Sequence, residues 1–69
     1  MTSPGMVRER LRFERAQLLQ QGDLLTAAAA YRFALRLEVL RRIEEAQAVG
    51  DQARLASLLT PADRWIAAL

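Results

Sequence analysis

Residues Leu24 to Val49 contain neither Gly nor Pro, follow Gly22-Asp23 and stop at Gly50-Asp51. Apolar residues recur along them on two faces. One stripe runs Leu24, Ala28, Tyr31, Leu35, Val39, Ile43, Ala46; the other runs Ala30, Phe33, Leu37, Leu40. A helix with one apolar stripe packs on its own domain, whereas one with two needs cover from both sides. The rest of the chain is too short to be expected to supply both, so the pattern predicts a partner, either a second copy or another protein.

Sixty-nine residues make one small domain, 1–69, with 1–5 expected to fray. A chain of this size buries only about 60% of its unfolded surface, and such domains lean on disulfides, metals or oligomerisation. There is no Cys and no His, so disulfides and the usual zinc sites are excluded and association remains. The 52% hydrophobic content is too high for a disordered chain. There is no apolar run of about 18 residues to span a membrane. Met6-Val7 is followed at once by Arg8, Glu9 and Arg10, unlike the apolar core of a signal peptide. A soluble, cytoplasmic protein is expected. All ten basic residues are Arg, which a GC-rich coding sequence explains better than selection for guanidinium contacts does. The net charge is only +2, a weak pointer to nucleic acid.

Local signals divide the chain into helices. Ser3-Pro4 reads as an N-cap followed by Pro at the first helical position, opening a helix from Pro4 to about Gln20. Its apolar line, Val7, Leu11 and Leu18, is narrow. Gly22 suits a left-handed stop and Asp23 a cap, so the second helix is expected to start at Leu24 and run antiparallel to the first. At roughly 26 residues it spans about 39 Å and overhangs the first helix by about nine residues, Arg41 to Val49. Gly50-Asp51 repeats the stop-and-cap signal. A third helix, Gln52 to Leu59, carries Leu55, Leu58 and Leu59. Thr60-Pro61-Ala62-Asp63 reads as a fresh start for a short fourth helix, Pro61 to about Ala68, with Trp65, Ile66 and Leu69. No run alternates with period two, so no strand is expected.

The stretch Gly22 to Glu38 resembles the second half of a tetratricopeptide repeat. That family places Gly in the inter-helix turn, a small residue five on, an aromatic nine on and Ala twelve on; Gly22, Ala27, Tyr31 and Ala34 fall in that order. The resemblance covers about a quarter of the chain. It departs where Arg15 stands in place of a small residue before the turn, and where no Pro ends the second helix. It implies a helical hairpin and a protein-binding role.

No residue set carries recognisable catalysis. Without His or Cys there is no nucleophile–base pair, and adjacent Glu44 and Glu45 point about 100° apart on a helix. Glu38 and Glu45, with Arg41 and Arg42, read as solvated i, i+3 and i, i+4 pairs. The three glycines are isolated, so there is no phosphate loop. No cofactor, metal or small-molecule substrate is expected, and the chain is read as a non-enzyme.

Two groups of residues are candidates for binding. Phe33, Leu37 and Leu40 form one stripe, bordered by Arg36 on one side and Arg41 on the other. It is a protein interface, unless the third and fourth helices fold back over it. Arg8, Arg12 and Arg15 share one face of the first helix and could contact an acidic protein or phosphates. A helix-turn-helix fails on geometry, because the second helix is long and apolar on two faces. The expected architecture is all-α: a helical hairpin with a long second helix and one or two short C-terminal helices, pairing into a dimeric helical bundle. The expected function is a small interaction module, an adaptor, regulator or subunit of a larger complex. The alternative is a nucleic-acid- or ribosome-associated basic protein using the first helix's arginines.

Overall fold

A computed structural model of the chain describes residues 2–67, Ala67 by its backbone alone. Every regular element among them is helical: α1 (Pro4–Gln21), a 3₁₀ turn (Gly22–Leu24), α2 (Ala27–Val49) and α3 (Gln52–Ala67).

The helix ends show which local signals prevailed. Ser3 is extended, and its hydroxyl accepts from the Met6 amide at 3.2 Å, with Pro4 in the first turn. The helix therefore begins at Pro4, and Thr2 is buried, so the expected frayed stretch 1–5 does not reach Gly5. Met1 lies outside the described residues. Gly22 has positive φ as expected, but at φ 53°, ψ −122° it occupies a glycine region distinct from the left-handed helical well. Asp23 does not cap α2. It sits inside the 3₁₀ turn, and Leu25 is extended. The cap is Thr26, whose hydroxyl accepts from the Ala29 amide at 3.1 Å. α2 therefore starts three residues later than expected. Leu24 is exposed, so no burial holds it in a helix, whereas Ala27 to Ala30 are the best helix formers available.

The second turn follows its sequence signal closely. Gly50 is left-handed at φ 72°, and its amide donates to the carbonyls of Ala46 and Gln47. The Asp51 amide donates to the Ala46 carbonyl at 3.0 Å, completing a Schellman motif. The Asp51 carboxylate then accepts from the Arg54 amide at 3.1 Å, capping α3.

The expected third and fourth helices are one. α3 runs through Pro61, which costs the Ser57 carbonyl its helical donor. Three features let it continue. Ser57 is exposed, so water can take that carbonyl. The Thr60 hydroxyl turns back to donate to the Ala56 carbonyl at 3.1 Å, so Thr60 caps nothing. Leu55, Leu58, Leu59, Ala62, Trp65 and Ile66 form one face at helical spacing and all reach the core. A break at Pro61 would carry the last three off it. The expected contributions of Ala68 and Leu69 lie outside the described residues.

α1 and α2 run antiparallel, as Arg8 against Glu44 and Glu14 against Arg36 require. With Arg8 level with Glu44, the start of α1 at Pro4 falls near the end of α2 at Val49, so most of the expected nine-residue overhang Arg41 to Val49 is absent. α3 folds back along α2 and also touches α1. The core is the seam where the three meet: Val7 and Leu11 from α1, Leu40 and Ile43 from α2, Ala62 from α3, with Phe33, Val39 and Trp65 packed partly buried against it. The chain itself thus covers the inner half of α2 from two sides, which corrects the expectation that it was too short to do so.

Two substitutions test these helix ends. Pro61→Ala should stabilise the protein by about 1–3 kcal/mol by restoring an interior helical bond, seen as a higher urea midpoint. A lower midpoint would mean that Pro61 starts a separate helix. Gly22→Val should lower the melting temperature, by a cost of about 1–2 kcal/mol for positive φ. Nothing lies within 4 Å of a Cβ placed there, so crowding does not contribute. An unchanged melting temperature would remove the turn's demand for glycine.

Candidate interaction surface

The stripe Phe33, Leu37, Leu40 does not stay together. Leu40 is only 8% exposed and belongs to the core, and Phe33 packs against that core half-buried. Leu37 is 42% exposed. Arg36 and Arg41, expected to border one interface, separate as well. Arg36 turns inward, while Arg41 stays on the surface with Glu38 at 2.7 Å and Glu45 at 3.6 Å. The other stripe of α2 also divides along its length. Ile43 and Ala46 are buried, whereas Tyr31 and Leu35 are exposed.

What remains outside forms a face that the sequence kept in two separate groups. On α1, Arg8, Arg12, Arg15 and Leu19 follow at spacings of four, three and four, so they lie along one side of the helix. All four are exposed. The Arg8 guanidinium donates to the Glu44 carboxylate at 3.1 Å, which joins this line to α2. Leu37 is two turns and Arg41 one turn before Glu44, on the same side of α2. The result is a two-helix face on which Arg8 stands level with Glu44 and Arg15 about level with Leu37, with Arg12 and Arg41 between and Leu19 nearer the Gly22 turn. Arg12 pairs with Glu9 at 3.3 Å, and Arg15 makes no ion pair among the described residues.

Beyond Leu19 the surface around the turn is also apolar. Leu24, Leu25, Tyr31 and Leu35 are exposed there, and Tyr31 and Leu35 stand one helical turn apart. Trp65, near the end of the described part of α3, meets Arg36, and these apolar residues remain exposed. Leu19 and the turn leucines were not among the sequence candidates. The four-three-four spacing that runs from Arg8 through Arg15 to Leu19 was the signal available. It went unread because Leu19 falls outside the apolar line Val7–Leu11–Leu18. Of the repeat-like positions, Ala27, Tyr31 and Ala34 are exposed.

Electrostatics separate a structural pair from a surface network. Arg36 Nη1 donates to both oxygens of Glu14 at 2.9 Å, and the two side chains are only 22% and 14% exposed. The Arg36 guanidinium also lies 5.5 Å from the Trp65 ring centre, a cation–π distance. One side chain therefore ties together α1, α2 and α3. The network on α2 is different in kind. Arg41, as hydrogen-bond donor and nearby charge, holds the Glu38 carboxyl below its ordinary value, and Glu38 raises Arg41 in turn. A carboxylate lowered in the folded state adds stability that is present above its unfolded pKa and lost as pH falls through the folded one. Both groups lie at the surface, with side chains 44% and 64% exposed for Glu38 and Arg41, so salt screens that contribution.

A double-mutant cycle on Glu14→Gln and Arg36→Gln should give a coupling of about 1–3 kcal/mol, as for a hydrogen bond between charged groups. The same cycle on Glu38 and Arg41 should give about 0.5 kcal/mol or less. Equal couplings in urea denaturation would remove the distinction between the inner and outer arginines.

Comparison of the chain with protein-family models, curated proteins and solved structures finds no significant match.

Proposed function

We propose that the protein is a small non-enzymatic interaction module that docks another protein on the outer face of α1 and α2. The observation that carries this reading is the exposure of Leu19 and Leu37 on the side of the two helices that carries Arg8, Arg12 and Arg15. Scattered exposed apolar residues are ordinary, but a contiguous group rimmed by charge is the usual make-up of a docking surface. Leu37 and Leu19 supply area that a partner would remove from water. The arginines, each able to present a planar fork to carboxylates, set its orientation. The complementary partner has an apolar ridge flanked by acidic residues. An adaptor, a regulator or a subunit of a larger complex would all use such a face. Self-pairing into a bundle of two hairpins is the variant in which that ridge is a second copy's Leu19 and Leu37.

The nucleic-acid reading draws on the same arginines. It is the weaker one because phosphate contacts would leave the exposed Leu19 and Leu37 uncovered, and the chain's net charge is only +2.

The test is a photo-crosslinking residue placed at position 37, with position 57 on the exposed side of α3 as the control, in cells and with purified chain. Adducts to protein at 37 but not at 57, lost on Leu19→Asp, are expected. Adducts equal at both positions, or none, would refute the docking face. Adducts to nucleic acid, with binding that collapses steeply as salt rises, would replace it with the alternative. Sedimentation over a range of concentrations identifies the self-pairing variant, which Leu37→Asp should convert to monomer.

A further inference from the structure

On the opposite side of the hairpin, α1, α2 and the end of α3 line a half-open cleft of about 330 Å³. We propose that this cleft binds a small doubly charged oxyanion of the phosphate-ester class.

Three guanidinium groups line it, Arg10, Arg32 and Arg36, against one carboxylate, Glu14. Three positive charges less one leave two, the charge of a phosphate monoester and twice that of a simple carboxylate. Arg10 lines the cleft, and its Nε is buried without a hydrogen-bond partner, a costly state for a guanidinium donor that an accepting oxygen reached by a shift of the side chain would relieve. The Arg10 guanidinium stands 5.9 Å from the Phe13 ring centre, which restricts its position. Arg32 makes no ion pair among the described residues. Arg36 gives Nη1 alone to Glu14, which leaves donors of its five-donor fork unspent. Gln17 and Gln21 add neutral polar groups to the wall. Glu14 repels an anion, but its charge is already shared with Arg36, so the anion's place is on the Arg10–Arg32 side. The volume lies at the lower end for small-molecule sites, large enough for a phosphate with a short organic group. None of these residues belongs to the outer face, so this proposal and the docking proposal stand or fall separately.

Trp65 lines the same cleft and is the chain's one tryptophan, so its fluorescence reports on the site directly. The full chain is titrated with inorganic phosphate and with pyrophosphate at constant ionic strength, against sodium chloride and sodium acetate, with calorimetry alongside. A saturable fluorescence change with the phosphates, absent with the two control salts, is expected. Arg32→Gln, at an exposed position that the fold does not need, should weaken the apparent affinity about tenfold, as loss of a charge-assisted hydrogen bond implies. Arg12→Gln, on the far face, should leave it unchanged. Three results would overturn the site: no saturable signal by either method, an equal signal from chloride, or equal weakening by Arg12→Gln and Arg32→Gln.

Discussion

The structure depends on one narrow seam along which three helices share their apolar edges. Val7, Leu11, Leu40, Ile43 and Ala62 are its buried members, and each larger one contributes about 1.5–3 kcal/mol of burial before chain entropy is counted. A domain this small has no second core in reserve. α2 is the shared wall: one edge of it meets α1 and the next meets α3. Without either neighbour, part of the cluster that holds Leu40 and Ile43 would face water. The two apolar stripes on α2 are the imprint of two neighbours, both supplied for half its length by the chain itself.

Arg36 shows how a charged residue can serve such a seam. It emerges from α2 between the two neighbours, where its guanidinium meets the Glu14 carboxylate of α1 and the Trp65 ring of α3. A charge removed from water this far needs its partners, and here both are present. The same residue meets Trp65 near the end of the described part of α3. Past it the hairpin's closed end, with Tyr31 and Leu35, is left open. The outer face and the inner cleft are thus consequences of one arrangement: α3 is shorter than α2 and lies on one side only.

Much of this was legible in the residues. Ser3-Pro4 and Gly50-Asp51 act as their chemistry demands, because a cap or a left-handed stop depends on a few neighbouring backbone groups. The ion pairs of Glu38 with Arg41 and Arg42 follow from helical spacing alone. Other local signals lost. Asp23 yielded to Thr26 because Leu24, 82% exposed, has little to pack against in a helix. Thr60-Pro61 looked like a beginning and proved to be the middle of α3, because the apolar face on either side of it pays for the missing bond. The candidate face was half legible: Arg8, Arg12 and Arg15 were seen as one line and Leu37 as part of another, but not that the two adjoin.

The amino-acid sequence alone determined that this chain is helical, where two of its turns fall, and which residues are apolar enough to seek cover, since these follow from short-range sterics, hydrogen bonding and periodicity. Which of those residues found cover was decided only in three dimensions. Phe33, Leu37 and Leu40 are equivalent by spacing, yet Leu40 is buried, Phe33 half-buried and Leu37 exposed. The reason is that burial depends on the angle at which α1 and α3 approach α2, and that angle is set by the summed packing of residues far apart in the chain.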